Sequence, residues 1–275
     1  MKKTLLASFI LVAFLASSCA GNSVSTSDSD KKAALFYDHG TQKLVDKDYT
    51  QALDYLLKAE QLKPEDTKIQ NNLGMAFYFK KQNNKAIEHL RKSLKADPKN
   101  SEARNNLAAI YYEVGEDSQA EREYRIVLED LLYKSQYMTY YNLALINLKR
   151  KKVAEAIDLL KKALKENEDY CAGYFLLGGV YKSQYKYKDA LDMFRRGSKG
   201  SCSNLPDPLY EQALIFLEMN NNKQAKEKFQ EVIDRFPGTN FEELSKQKIR
   251  DLRSQLDNRQ YKVMNEQSDY TTPSF

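Results

Sequence analysis

The chain has little of the chemistry on which enzymes depend. Its 275 residues include only two histidines, His39 and His89. No group of histidine, cysteine or carboxylate residues has the spacing of a metal site, and no glycine-rich loop of the phosphate-binding kind occurs. We therefore expect a protein that is not an enzyme and that holds neither a metal nor a cofactor.

An excess of charge of one sign is also missing. The 43 Lys and Arg residues nearly balance the 38 Asp and Glu residues, for a net charge of +5. Removal of an N-terminal signal containing Lys2 and Lys3 would lower this to +3, which is 41 minus 38. A surface so close to balance gives no reason to expect a nucleic-acid partner.

Long hydrophobic runs are absent apart from one near the N-terminus. Residues 4–16 are mostly apolar and lie between Lys2-Lys3 and Ser17-Ser18-Cys19, the pattern of a secretory signal, and the run is too short to span a bilayer. Its end, FLASSCAGN, resembles the bacterial lipoprotein signal, although Ala16 stands where that family usually has leucine. The resemblance implies a signal peptide at 1–18 and acylation of Cys19, for example with palmitate. The alternative is a plain secretory signal with an incidental cysteine.

The same resemblance bears on location. Cys19 is followed by Ala20 rather than aspartate, which by the sorting rules of some bacteria favours a lipid anchor in the outer membrane, facing the periplasm. Several acyl chains, at about 0.8 kcal/mol per buried CH₂, would hold the protein firmly without spanning the membrane. Residues 19–30 are rich in Ser and Asp and are predicted to form a flexible tether.

The sequence repeats itself with a period near 34. QNNLGMAFYF begins at Gln70 and RNNLAAIYYE begins at Arg104. A small residue recurs at intervals of 34, 34, 36, 34 and 35, at Ala52, Ala86, Ala120, Ala156, Ala190 and Ala225. Such a period indicates six repeated structural units.

Each unit has the pattern of two antiparallel helices joined by a turn. The second unit shows it most fully, with Leu73, Gly74, Phe77, Ala86, Leu90, Ser93 and Pro98. These residues resemble the tetratricopeptide repeat (TPR). The resemblance implies an all-α fold, a right-handed superhelical solenoid of six helix-turn-helix repeats over residues 31–238. Small residues allow the two helices of a unit to approach closely, and proline ends the second helix.

Three further segments complete the predicted organisation. Residues 239–257 carry Leu244, Ile249, Leu252 and Leu256 at helical spacing and are predicted to form a capping helix. Residues 258–275 lose periodicity and are predicted to be disordered. The junction LEDLLYKSQYM between the third and fourth units holds two extra residues, which indicates a longer turn or, as the weaker alternative, a bulge lining a groove.

Two cysteines remain if Cys19 carries lipid. Cys171 opens the first helix of the fifth unit and Cys202 follows its second helix, so the two ends of one antiparallel hairpin would bring them together. A disulfide is expected in an exported protein. The alternative is two unpaired thiols.

The first helices of the units are predicted to line the concave face of the solenoid. The residues expected to contact a partner there are Tyr37, Asn71, Asn72, Tyr78, Phe79, Asn105, Asn106, Tyr112, Tyr141 and Asn142. Asparagine is a mediocre helix former, so its recurrence needs a reason. Its amide could bond the backbone of a bound peptide while the rings supply apolar contact. It could equally bond a neighbouring helix and stabilise the superhelix.

A lipoprotein signal, six TPR units and a late cysteine pair together resemble the pilotins of type IV pili. That resemblance implies a monomer that binds the outer-membrane secretin subunit of the pilus machine and promotes its localisation and multimer assembly. Two alternatives remain open: a periplasmic adaptor that recruits cell-wall hydrolases, and a component of outer-membrane protein insertion.

Overall fold

The computed structural model describes residues 27–269, and this part of the chain contains thirteen α-helices, one short 3-10 helix and no strand. The α-helices are α1 (Asp28–Val45), α2 (Tyr49–Leu62), α3 (Thr67–Phe79), α4 (Asn83–Ala96), α5 (Ser101–Glu113), α6 (Asp117–Val127), α7 (Gln136–Lys149), α8 (Val153–Glu166), α9 (Cys171–Ser183), α10 (Tyr187–Arg196), α11 (Asp207–Glu218), α12 (Asn222–Arg235) and α13 (Asn240–Asp269). The 3-10 helix covers Gly200–Cys202.

The helices pair in chain order and the pairs stack. Each odd-numbered helix from α1 to α11 packs on the even-numbered helix that follows it, and each pair packs on the next. First helices of neighbouring units also touch, α1 with α3, α3 with α5 and α5 with α7. The largest apolar cluster accordingly runs through successive units, from Leu56 on α2 to Ile146 on α7. The predicted all-α stack of six hairpins is therefore confirmed.

Small residues fix how closely the two helices of a unit approach. A Cβ added to Gly40 would lie 2.6 Å from Leu56 Cγ, and one added to Gly74 would lie 2.6 Å from Leu90 Cγ. On α9, a Cβ at Gly178 would meet the Phe194 ring at 2.8 Å. In these three hairpins the helix crossing thus has no room for a side chain.

All six turns inside the hairpins share one backbone conformation. A residue with φ between 56° and 87° lies in each turn, namely Lys47, Lys81, Gly115, Lys151, Tyr185 and Asn220. The residue after it donates its N–H to the carbonyl five positions earlier, as Asp48 does to Lys43 (2.9 Å) and Gln82 to Phe77 (2.9 Å). This bond satisfies a carbonyl at the end of the first helix and reverses the chain.

The junction between the third and fourth units is a longer turn, as predicted. Helix α6 ends at Val127 and α7 begins at Gln136. Asp130 organises the turn, because its carboxylate accepts hydrogen bonds from the Ser101 hydroxyl (2.6 Å) and the Leu132 N–H (3.0 Å). The extra residues are therefore absorbed without disturbing the stack on either side.

The C-terminal helix caps the stack but is longer than predicted. Ser245, Ile249 and Leu252 are buried on it, whereas Leu244 is exposed. Helix α13 continues to Asp269, which corrects the predicted end at 257 and the predicted disorder of 258–269. No proline or glycine interrupts residues 241–269, so nothing stops the helix at 257. The rest of the predicted tail lies outside the described residues.

The N-terminal boundary is also slightly earlier than predicted. Helix α1 begins at Asp28, inside the predicted tether of 19–30, because Ser27 and Asp30 form a capping box with the backbone. The predicted signal peptide and Cys19 lie outside the described residues. Within residues 27–269, none of the helices is both long and apolar enough to cross a membrane.

Candidate partner-binding groove

The asparagines of the first helices form a chain of side-chain hydrogen bonds across the stack. Asn72 on α3 donates to the Thr41 hydroxyl on α1 (2.8 Å), and Asn106 on α5 donates to Asn71 Oδ1 on α3 (3.0 Å). The Thr139 hydroxyl on α7 donates to Asn105 Oδ1 on α5 (3.0 Å). We call these contacts the amide ladder, and they tie four successive first helices together.

The amide ladder answers the question raised by the recurring asparagines. Asn71 and Asn105 are 5% and 6% exposed, and both side chains bond within the fold, so little of either is left for a partner to contact. Bonding between helices is therefore what these two residues do in the structure. Asn72, Asn106 and Asn142 are half-buried, and contact with a partner stays a prediction for them.

Tyr78 on α3 is held by the next unit. Its hydroxyl donates a hydrogen bond to the Glu113 carboxylate on α5, and Lys81 Nζ lies 3.4 Å from the other oxygen of that carboxylate. The same ammonium lies 5.6 Å from the centre of the Tyr78 ring. Burial and the bond to Glu113 raise the pKa of Tyr78 to about 12, so the phenol stays neutral and fixed in orientation.

Tyr112 takes the place of Tyr78 in the following unit, 34 residues later. It is half-buried, and Lys149 Nζ on α7 lies 5.7 Å from its ring centre. That lysine also pairs with Asp117 at 2.7 Å. A lysine ammonium thus lies over each tyrosine ring, Lys81 from the same unit over Tyr78 and Lys149 from the next unit over Tyr112.

The remaining predicted aromatic residues differ in exposure. Phe79 is 40% exposed and stacks on Tyr49 with the ring centres 4.7 Å apart. Tyr141 is half-buried and meets Tyr170 edge-on at 5.4 Å. Tyr37 is half-buried and packs against the largest apolar cluster. Each ring keeps part of its surface accessible, so the first helices present a row of rigid apolar contacts.

One exposed aromatic residue was missed by the sequence reasoning. Phe175 on α9 is 40% exposed and occupies the repeat position that holds Asn71, Asn105 and Tyr141 in the three units before it. Alignment of the six units by their small residues would have found it. The accessible apolar face therefore extends from α3 as far as α9.

The cysteine pair lies at one edge of the fifth unit. Cys171 at the start of α9 and Cys202 after α10 are joined by a disulfide, with their Cα atoms 5.5 Å apart. This is the pairing that the sequence indicated. Among the described residues, no group of three or more His, Cys, Asp or Glu side chains could hold a metal ion.

Comparison with protein-family models identifies the repeat. Three models, each described as tetratricopeptide repeat, match residues 37–101 with 118–170, residues 80–131 and residues 209–239. Together with the stacked hairpins, these matches show that the chain belongs to the tetratricopeptide-repeat family. No curated protein matches the chain significantly.

Solved structures of similar shape include PilF and PilW. PilF of Pseudomonas aeruginosa is 20% identical with a TM-score of 0.65, and the match covers 81% of this chain and 100% of PilF. PilW, a widely conserved type IV pilus biogenesis factor, is 19% identical with a TM-score of 0.67, over 77% of this chain and 97% of PilW. YrrB, a TPR protein with an unusual peptide-binding site, is 18% identical with a TM-score of 0.51, over 70% of this chain and 97% of YrrB. At these identities the likeness establishes the fold.

Proposed function

We propose that this protein is a pilotin: an outer-membrane lipoprotein that binds the secretin subunit of a type IV pilus machine and promotes its assembly into multimers. The observation that carries the proposal is the match to PilF along the whole length of that protein, with a similar match to the pilus biogenesis factor PilW. The described residues form six units and a terminal helix, with no further folded body among them. This architecture is suited to a scaffold that holds another polypeptide.

The concave face has the chemistry to hold an apolar segment of a secretin subunit. Ring surface is offered at low cost in side-chain entropy, because contacts within the fold already hold the rings of Tyr78, Phe79, Tyr112 and Tyr141. The half-buried amides of Asn72 and Asn106 can bond the backbone of an extended segment lying across them. The groove would shield that segment until the secretin ring closes.

The proposal includes the lipid anchor at Cys19. Acylation there would place the groove close to the membrane in which the secretin assembles. Growth with labelled palmitate should label the wild-type protein and leave the Cys19→Ser variant unlabelled. An unlabelled wild-type protein would remove the anchor from the proposal while leaving the binding role to be tested separately.

The binding role is tested by variants of the groove in the native cell. Tyr112→Ala and Phe79→Ala should lower the amount of secretin multimer several-fold, because each removes accessible ring surface that the fold does not bury completely. Ile126→Ala on the second helix α6 is the matched control, since Ile126 is an exposed apolar residue away from the first helices. Circular dichroism of the purified variants checks that each remains folded.

Two outcomes would contradict the proposal. Unchanged multimer in the groove variants would exclude the aromatic row as the binding surface. Unchanged multimer in a strain lacking the whole protein would exclude a pilotin role. Loss of cell-wall hydrolase recruitment or of inserted outer-membrane proteins in that strain would support one of the alternative functions instead.

A further inference from the structure

Gly179 is a glycine that the fold itself does not require. It lies inside α9, where glycine lowers helix stability relative to alanine. A Cβ added at Gly40, Gly74, Gly173 or Gly178 would lie within 3.0 Å of another side chain, whereas one added at Gly179 would meet nothing within 4 Å. Among the glycines inside helices of residues 27–269, Gly179 alone has open space where its side chain would be.

The surface around Gly179 is apolar and accessible. Gly179 itself is exposed, and Phe175, one turn earlier on the same face of α9, is 40% exposed. Leu176 between them is half-buried. The backbone of α9 is therefore bare at Gly179, beside the exposed ring of Phe175. Nothing within the hairpin fills this space, so only a group from outside the hairpin could approach the backbone there.

Beside the next turn of α9, negatively charged side chains outnumber positively charged ones. Lys182 lies between two carboxylates of α11, at 2.9 Å from Glu211 and 3.3 Å from Glu218. Helix α11 also carries Asp207 and holds no lysine or arginine. Glu211 and Glu218 thus share the single ammonium of Lys182, and α11 holds no cation of its own, which leaves an excess of negative charge beside this turn of α9.

We propose that the groove between α9 and α11 holds a partner polypeptide segment that is both apolar and basic, with its main chain crossing α9 at Gly179. The missing Cβ lets backbone approach backbone, Phe175 contacts an apolar side chain, and Glu211 or Glu218 pairs with a Lys or Arg of the segment. A polypeptide is favoured over an anionic lipid surface because the carboxylates of α11 repel the latter. This inference rests on the proposed function only in that the partner is a polypeptide held by the concave face.

The test uses the full mature chain and two labelled probes, a twelve-residue peptide of alternating leucine and lysine and one of alternating leucine and glutamate. Fluorescence anisotropy measures their binding to the wild type and to Gly179→Ala. We expect the leucine–lysine peptide to bind about tenfold more tightly than the leucine–glutamate peptide. Gly179→Ala should weaken the binding of the leucine–lysine peptide about tenfold, because the new methyl group separates the peptide backbone from the backbone of α9.

The same substitution should make the protein more stable. Alanine in a helix lowers the unfolding equilibrium constant about fourfold relative to glycine, and no contact opposes the methyl group here. Loss of binding together with a gain in stability cannot come from damage to the fold. The matched control is Ala154→Val on the second helix α8, an exposed site at which a larger side chain should leave binding unchanged.

Further variants test the charge. Glu211→Gln combined with Glu218→Gln should weaken the leucine–lysine peptide and leave the leucine–glutamate peptide unaffected or stronger. Equal binding by wild type and Gly179→Ala would overturn the proposal, and so would equal binding of the two peptides. Self-association of the wild type that Gly179→Ala abolishes would assign the face to a second copy and overturn it too. The secretin test with Tyr112 and Phe79 is independent of these results, so the two proposals can fail separately.

Discussion

Hydrogen bonds of individual asparagine side chains connect neighbouring repeats of this protein. Asn71 is the most heavily used, because it accepts a hydrogen bond from Asn106 at 3.0 Å and its Nδ2 lies 3.3 Å from both Asn72 and Glu102. A buried amide without such partners would destabilise the fold. The cost of asparagine in a helix is thus offset by bonds that apolar residues could not make.

Substitution of Asn71 should therefore reduce stability. We expect Asn71→Ala to lower the free energy of unfolding by about 1–2 kcal/mol, because the Asn106 amide loses its acceptor and the buried site loses its bonds. Asn84→Ala on α4, an exposed position, is the control and should change it by less than about 0.5 kcal/mol. Urea unfolding compares them. Equal midpoints for the two variants would show that the ladder contributes nothing measurable.

His89 is a second buried polar residue with a defined role. Its Nδ1 lies 2.7 Å from Gln70 Oε1, and its ring stacks on Phe77 with the centres 5.0 Å apart. Gln70 in turn donates to Glu60 (2.9 Å) and to the Pro64 carbonyl (2.6 Å). This network closes the packing of α2, α3 and α4.

Protonation of His89 should destabilise the protein. Burial lowers the pKa of His89 below its ordinary value, although Glu60 opposes the shift and charged groups on α4 also act on it. Because the folded state favours the neutral ring, this stabilisation is present above the unfolded pKa of about 6.5 and is lost as pH falls through the folded pKa. His89→Gln should therefore lose less stability than the wild type between about pH 7 and pH 5. Parallel pH profiles would contradict this.

The hairpins show what could and could not be predicted from the sequence. Their helices follow from small and large apolar residues at fixed places, such as Gly74 and Leu90, because packing requires those sizes. The left-handed turn residue could not be predicted, since glycine, which signals that conformation, occupies only one of the six turns. The direction of the asparagine bonds was also open, because an amide can bond a partner or a neighbouring helix.

The C-terminal helix shows a second limit of sequence reasoning. Beyond residue 257 the sequence loses its apolar periodicity and is rich in polar and charged residues, so its composition suits disorder as well as helix. The absence of proline and glycine permits the helix to continue. The longer turn after α6 was predictable because two extra residues break an otherwise regular period.

The fifth hairpin is the one closed by a covalent bond. Cys171 and Cys202 are 31 positions apart in the sequence, and their disulfide closes the loop between them. By the loop-entropy relation, its loss in a Cys171→Ser, Cys202→Ser double variant should lower stability by about 3–4 kcal/mol, an upper figure because strain in the native state subtracts from it. The oxidised wild type should unfold at a higher urea concentration than the double variant. The reduced wild type should unfold at the same urea concentration as the double variant.

The disulfide prediction has a direct chemical control. Denatured, unreduced protein should show no reactive thiol from Cys171 or Cys202. Two reactive thiols besides residue 19 would exclude the bond. An oxidised wild type no more stable than the variant would show that the stack alone holds the ends of the hairpin together.

Ion pairs between neighbouring hairpins, as well as the apolar core, hold the whole stack in register. Lys81 on the second hairpin faces Glu113 on the third, and Lys149 on the fourth faces Asp117. Arg150 likewise pairs with Glu121, whose pKa is lowered by Arg150 and Arg125. Exposed pairs stabilise little, so their main effect is to favour one alignment of neighbouring hairpins.

This alignment produces one continuous face of first helices, from Tyr78 on α3 to Phe175 on α9, on which a partner polypeptide can lie. Photo-crosslinking in the native cell tests that surface most directly. A benzoylphenylalanine residue replaces Tyr112 on the first helix α5 in one strain, and Ile126 on the second helix α6 in another. We predict a covalent adduct with the secretin subunit from position 112 and none from position 126. An adduct from position 126 alone, or equal adducts from both positions, would contradict binding in the groove.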